Sequence, residues 1–302
     1  MINSHTFKLP FITLFVVIQS IGWTQDVITK YSYEEPLMGT TFRIVLFHND
    51  KLEADEAVAK AFKRIEYLNS IFSNYSLESE AMSIKSTPHK VSEDMWKVLI
   101  TSRDLYHQSN GLFDVTIGPV SKLWRKAIRN GVPPTDTSLK EAQFSVGMNL
   151  LNMNDATREV YFVKDGMILD FGGIAKGYAV DEAYKVLKEE GIKYALVDGG
   201  GDIYAGDHPA NGWKVNFSSN RDQNYFKEQA ITSSGAEYQK VHVESDIYSH
   251  IIHPEKGMGV KNQETTYVVG PSCTIADALS TIISIDKESE IISKYYPEYK
   301  TY

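Results

Sequence analysis

Apolar residues recur with a period near 3.6 in some stretches of the chain and alternate with polar residues in others, so the pattern predicts helices mixed with strands. From Leu52 to Phe72, residues Ala54, Val58, Ala61, Phe62, Ile65 and Leu68 fall on one helical face. Asp94 to Gln108 repeats that spacing and is followed by Gly111. A further helix is predicted from Ala175 to Glu190, with Ala179, Val180, Ala183, Val186 and Leu187 on its apolar side and Gly191 as its C-cap. Residues 275–285 contain no Gly or Pro and place Ala278, Leu279, Ile282 and Ile283 at helical spacing. Thr40 to His48 alternates like a strand, and strand-like runs lie near Val160, Met167, Tyr194, Trp213, Ile231, Tyr248 and Thr265. Only the 175–190 helix sits cleanly between two such runs, so a regular doubly wound sheet is not expected and the class is α+β. Arg129 to Ser138, with Gly131, Pro133 and Pro134, reads as an exposed connection.

Candidate chemistry sits where these elements begin or turn. On the 275–285 helix, Asp277 and Thr281 stand one turn apart on one face, about 6 Å between their roots. A carboxylate and a hydroxyl projecting together supply oxygen ligands of the kind Mg²⁺ takes. Taken alone the pair also fits ordinary helix chemistry, with Asp277 in a first turn favouring the dipole and Thr281 bonding back to the carbonyl four residues earlier. Met167 to Phe171 reads as a short strand, followed by Gly172 and Gly173 and then by the 175–190 helix. Glycines opening a helix N-terminus leave N–H groups and the positive dipole end free for an anion, and Lys176 adds a full charge there. The spacing is neither that of a P-loop nor that of a dinucleotide fingerprint, and a plain strand-to-helix turn with a solvated lysine fits it as well. Tyr75 and Trp124 are candidates to stack on a ring ligand or to fill the core. Asp114 is a candidate to bond a ligand or to cap the turn before Gly118-Pro119, and Gly199-Gly200-Gly201-Asp202 either approaches a ligand or simply ends a strand. His5, His48, His89, His107, His208 and His242 have no partner at metal-ligand spacing.

Composition narrows the partners. With 302 residues, 42% hydrophobic, the chain can bury a substantial core. A formal charge of −8 without basic runs argues against nucleic acid. An acidic protein that binds an anion needs local positive charge, and a metal ion with Lys176 would supply it. Lys8 precedes the apolar run Leu9 to Ile21, the length of a secretory leader and too short to span a bilayer, so residues 1–24 are expected to be a signal peptide or uncleaved leader ahead of the 25–302 domain. The sole cysteine is Cys273, so neither a lipid anchor near residue 20 nor an intramolecular disulfide is expected. The expectation is an exported, periplasmic protein or one on the periplasmic face of the inner membrane, associated with a membrane only through its leader or a protein partner.

The motifs together carry a resemblance. Met38-Gly39-Thr40, Ser73-Asn74-Tyr75, Gly111-Leu112-Phe113-Asp114 with Gly118-Pro119 and Leu123-Trp124, the run Asp170 to Gly177, Gly200-Gly201-Asp202-Ile203, His250-Ile251-Ile252 and Ala276-Asp277-Ala278-Leu279-Ser280-Thr281 stand in an order that resembles the ApbE family. These are flavin transferases that use FAD to attach FMN through a phosphoester bond to a Thr or Ser of a target protein. The resemblance implies an ApbE-like, T-fold-like α+β fold, with Mg²⁺ as cofactor and FAD and an acceptor protein as partners. It implies a metal held by Asp277, Thr281 and a backbone carbonyl near Gly173. It also implies FAD contacts from Met38, Tyr75, Leu112, Phe113, Asp114, Asp170, Lys176, His250 and Ile251, with His250 and Lys176 as catalytic candidates. An imidazole titrates near neutral pH, so His250 could take the proton of the incoming hydroxyl; otherwise it bonds a neighbouring strand. His253 replaces the Asp of the family's His-Ile-Ile-Asp-Pro motif, which removes a negative charge from a position expected near the active site. Hydrolysis of FAD to FMN and AMP, or flavin binding without chemistry, are the competing function classes.

Overall fold

Phe42, Ile44 and Leu46 occupy alternate positions of one strand and are all fully buried, while Val45 and Phe47 on the opposite alternation pack on a different apolar cluster. That strand therefore has covered surfaces on both sides, and the sheet it belongs to is a middle layer. The computed structural model describes residues 28–216, 224–235, 240–243, 246–261 and 264–302; the expected leader lies outside them. Among the described residues no helix is long and apolar enough to cross a membrane.

In chain order the elements are the hairpin β1 (Thr29–Leu37) and β2 (Thr40–His48), then α1 (Lys51–Phe72), α2 (Glu80–Ser83), β3 (His89–Lys90) and α3 (Glu93–Gln108). Next come α4 (Gly118–Asn130), α5 (Asp136–Gln143), β4 (Leu151–Asn154), β5 (Glu159–Phe162), α6 (Ala175–Glu189), β6 (Tyr194–Asp198) and β7 (Asp202–Ala205). The remainder is β8 (Trp213–Val215), β9 (Asn224–Phe226), β10 (Gln229–Ser234), β11 (Lys240–Val243), β12 (Asp246–Ser249), β13 (Ile252–His253), β14 (Met258–Gly259), β15 (Thr266–Gly270), α7 (Cys273–Ile285), α8 (Ile291–Tyr295) and β16 (Lys300–Thr301).

One sheet of seven strands, in the order β1-β2-β6-β7-β10-β15-β16, is antiparallel throughout. Helices α1, α6 and α7 lie against it, and the largest core cluster runs between them and the sheet. The α+β class is thus observed, and antiparallel pairing is the reason a doubly wound fold is absent. Arg64 of α1 ties two further helices to itself through Asp94 of α3 and Glu182 of α6, and the Tyr178 hydroxyl donates to Asp94 at 2.6 Å. A separate cluster of Val120, Trp124, Ala127, Leu139 and Ile252 seats α4 and α5 against the β13 region.

Two sequence expectations change. Met167 to Phe171 is not a strand: its ladder contact is a single parallel bridge between Ile168 and Ile117, and the Asp170 N–H donates to the Val115 carbonyl. Leu169 and Phe171 are buried apolar side chains, which gave the run its strand-like appearance, but among the described residues no partner strand runs beside it. The expected connection from Arg129 to Ser138 shrinks to residues 131–135, because α4 runs to Asn130 and α5 starts at Asp136 with Thr135 as its cap.

Candidate functional site

Gly177 decides how closely α6 and α7 approach. A Cβ built there would stand 2.2 Å from the Cys273 carbonyl oxygen and 3.0 Å from the Asp277 Cβ, so only glycine fits at the crossing. The N–H of Gly177 donates to Asp277 Oδ2 at 3.3 Å. Because α7 starts at Cys273, Asp277 lies in its second turn and the dipole explanation for it does not apply. The hydroxyl bonded back to the Asp277 carbonyl is that of Ser280, at 2.8 Å, which leaves the Thr281 side chain for another role.

The start of α7 is fixed from outside. Ser272 makes no side-chain cap, and the carboxylate of Asp181 on α6 takes that place. It accepts from Cys273 N and Thr274 N, both at 2.9 Å, and from the hydroxyls of Ser272 at 2.7 Å and Thr274 at 2.6 Å. These bonds satisfy donors that a helix end leaves orphaned, and they set the rotation of α7 that aims Asp277 and Thr281.

Lys176 points inward. Its Nζ pairs with Asp202 Oδ2 at the start of β7 and lies 3.8 Å from Asp277 Oδ2. Asp202 is 0% exposed, and its Oδ1 has no hydrogen-bond partner. Burial, then the neighbouring Asp277 charge, raises the pKa of Asp202 against the pull of Lys176. Burial likewise raises Asp277, opposed by Lys176 and the Gly177 N–H. Burial alone would lower the pKa of Lys176, but Asp202 and Asp277 outweigh it and hold it above the ordinary lysine range. The lysine is therefore the charged partner of two buried carboxylates, where a solvated cation was the plain alternative.

Gly173 and Thr281 meet. A Cβ on Gly173 would stand 2.9 Å from Thr281 Oγ1 and 3.4 Å from the ring of Phe113. The helix N-terminus beside them is less open than expected: the N–H of Gly172 is taken by Asp170 Oδ1 at 3.0 Å and that of Ala175 by the Phe171 carbonyl at 2.8 Å. Asp170 Oδ2 accepts from Arg125 Nη2 at 3.0 Å, Arg125 Nη1 donates to Asn74 Oδ1 at 2.8 Å, and the guanidinium lies 4.8 Å from the centre of the Tyr75 ring. Tyr75 is 74% exposed and so is not core; Trp124 is buried, donating from Nε1 to the Gly257 carbonyl at 2.8 Å, and is core.

Further expected residues fall on turns around this cluster. Met38 and Gly39 form the two-residue β1–β2 turn with φ of 50° and 76°, a type I′ geometry that a non-glycine such as Met adopts only under strain. Leu112 is partly buried and Phe113 buried, and Asp114 Oδ1 accepts from Thr116 N and Oγ1, so Asp114 does cap a turn. Burial raises the Asp114 pKa, with Thr116 offsetting part of the rise. Gly200, at φ 78°, leaves no room for a side chain beside Thr40, which places the β6–β7 turn on the β1–β2 hairpin.

His250 follows β12 on an exposed turn, and the neighbouring Ile251 is buried with its N–H on Ser249 Oγ at 2.9 Å. Tyr248 packs its ring 5.4 Å from that of Trp124, which links this turn through α4 to Arg125 and Asp170. The charged groups acting on His253 are Lys256, Glu255 and Asp286, and none belongs to the Lys176 cluster. Its Nδ1 is buried without a partner, and burial, with Lys256 adding, holds the imidazole below its usual pKa. His253 pairs with Met258 across the β13–β14 hairpin.

Arg125, Asp181 and the pairing role of Asp202 were missed. No spacing rule joins residue 125 to 74 and 170, or 181 to 273; only the closing of Gly200-Gly201-Asp202 on a strand start hinted that Asp202 mattered. Among the described residues no three His, Cys, Asp or Glu side chains gather as a metal site. The donors present are instead a carboxylate, a hydroxyl and backbone at Gly173, beside a buried carboxylate oxygen without a partner. All are hard oxygens, and the two buried carboxylates face one cation, so the residues fit Mg²⁺.

The profile of the ApbE family matches residues 38–297. A relative from Vibrio cholerae named FAD:protein FMN transferase is 28% identical over 264 residues, covering 82% of this chain and 78% of its own. One of the same name from Chlamydia muridarum is 25% identical over 269 residues, covering 85% and 84%. Among solved structures, a histidine-to-glycine variant of the Vibrio cholerae flavin transferase ApbE superposes with a TM-score of 0.78 at 24% identity, over 91% of this chain and 97% of that one.

Proposed function

The chain belongs to the ApbE family, and on that premise we propose that it transfers FMN from FAD to a Thr or Ser hydroxyl of an acceptor protein, releasing AMP, with Mg²⁺ as its cofactor. The observation that carries the reading is that α7 carries Asp277 and Thr281 one turn apart, with Thr281 Oγ1 against Gly173 and Asp277 against Gly177. These three would hold the ion. When bound, Mg²⁺ supplies charge neutralisation at the phosphoryl oxygens.

The protein's own groups do the rest. The acceptor oxygen bonds to the FMN-side phosphorus while the bond from that phosphorus to the bridging oxygen breaks, and AMP leaves with the electron pair. His250, on an exposed turn, receives the hydroxyl proton. Lys176 keeps positive charge beside the phosphates while anchored on Asp202. The exposed Tyr75 ring, backed by Arg125, offers a stacking face for a flavin or adenine, and Met38, Leu112, Phe113, Asp114, Asp170 and Ile251 shape the surrounding walls.

The test is incubation with FAD, MgCl₂ and a candidate acceptor domain, followed by mass spectrometry of the acceptor. Covalent FMN on a Thr or Ser, lost in Asp277→Ala and reduced about 10²-fold or more in His250→Ala, is expected. Free FMN and AMP without acceptor modification would replace transfer by hydrolysis. The site is further proposed to work outside the cytoplasm, in a 25–302 domain behind a 1–24 leader; an intact Met1 in a soluble cytoplasmic fraction would remove that part.

A further inference from the structure

We propose that Lys176 is a built-in counter-cation of the metal site and that Asp202 is the positioning residue that keeps its ammonium from settling wholly on Asp277. The inference rests on the proposed metal reading and goes beyond it by assigning Lys176 and Asp202 a role in metal affinity.

Two carboxylates are buried here, Asp202 at 0% and Asp277 at 5% side-chain exposure, and both face the ammonium of Lys176. One ammonium thus faces two carboxylates. Carboxylates out of water repel strongly, since Coulomb energies rise as the effective dielectric falls. Lys176 reaches them from the first turn of α6, with Asp202 on β7 and Asp277 on α7, so one side chain spans three elements. It contacts Asp202 directly and stands 3.8 Å from Asp277. The closer partner sets where the ammonium rests. Asp277 is therefore only partly neutralised, and the remaining oxygen of Asp202 has no donor. A divalent cation entering at Asp277 competes with Lys176 for that carboxylate.

The roles predict opposite effects of two substitutions on metal affinity. Lys176→Met removes the ammonium that competes for Asp277 and should bind MgCl₂ or MnCl₂ about tenfold more tightly than wild type, by calorimetry and by the metal-induced rise in melting temperature. Asp202→Asn frees the ammonium to settle on Asp277 and should bind about tenfold more weakly. If Asp202 acts through Lys176, adding Asp202→Asn to Lys176→Met changes affinity little, the non-additivity of a coupled pair. Lys176→Arg should restore near wild-type affinity. A Lys176→Met protein that folds only with MgCl₂ or MnCl₂ present is a stronger form of the same result.

Asp202→Asn weakening binding equally in both backgrounds would show Asp202 acting on the ion directly and overturn the proposal. So would a Lys176→Met protein with wild-type affinity. Wild-type protein that binds neither metal would overturn both this inference and the metal reading, whereas metal-binding wild type with unaffected variants removes this inference alone. No flavin transfer is measured, so loss of the transferase reading is recognised separately.

Discussion

Gly177 shows how much one missing methyl group can carry. Its Cα lies where α6 crosses α7, and a Cβ would fall 2.2 Å from the Cys273 carbonyl, a backbone atom that cannot rotate away. Gly177→Ala should push the helices apart, costing about 1–3 kcal/mol as overpacking does. It should also abolish the metal-induced melting shift, because Asp277 and Thr281 move with α7. Gly191 is the control: it takes φ 84° with nothing within 4 Å of an added Cβ. Gly191→Ala should cost about 1 kcal/mol of backbone strain and leave metal binding unchanged. Equal metal shifts in the two variants would refute the crossing argument.

At the scale of the element, α7 owes its aim to a carboxylate on another helix. Asp181 answers the backbone donors of Cys273 and Thr274 and the hydroxyls of Ser272 and Thr274, a cap made in trans across the α6–α7 pair. Asp181→Ala leaves those N–H groups unanswered in a partly buried place and should cost about 2–3 kcal/mol, the upper range for losing charge-assisted bonds. Urea unfolding measures the loss. Asp181→Asn, which keeps two acceptor lone pairs but no charge, should recover part of it. An Asp181→Ala protein as stable as wild type would mean that α7 is held by its apolar face alone. The periodicity of 275–285 predicted the helix; it could not locate the start at Cys273, because the capping group lies 91 or more residues away in the chain.

For the whole molecule, acid stability should fall in two windows, each with its own sign argument. His253 has a folded pKa held below its unfolded value, so the unfolded chain binds the extra proton; stability is full above the ordinary histidine pKa and declines as pH falls through it. In Asp94 burial resists ionisation, but hydrogen bonds from Arg64 and Tyr178 outweigh it and leave the carboxyl below the ordinary aspartate range. That contribution is present above the unfolded aspartate pKa and is lost only as pH falls further, through the folded value. Melting temperatures recorded downward from neutral pH should therefore show an early decline that His253→Asn flattens and a later one that Asp94→Asn removes. Superimposable profiles for wild type and His253→Asn would contradict the burial argument for His253. Arg64, Asp94 and Glu182 hold α1, α3 and α6 together, so the later decline should be a cooperative loss of the helical layer.

The sequence by itself determined the local elements and the identity of the chemical groups. Apolar spacing is a property of neighbours in the chain, which is why α1, α3, α6, α7 and β2 were legible almost to the residue, and why the Asp277 and Thr281 pair could be placed on one helix face. The same reasoning misread Met167 to Phe171, where burial came from surrounding helices and loops with no partner strand beside it among the described residues. Only the tertiary structure decided which charges meet. Lys176 was legible as a cation at a helix start, but its inward turn onto Asp202 depends on β7 lying beside α6. The links from Arg125 to Asp170 and from Asp181 to α7 likewise depend on chain crossings that no periodicity records. Side-chain pattern encodes which face is buried; the partner that buries it is set by the packing of the whole chain, and a charge network is fixed by partners.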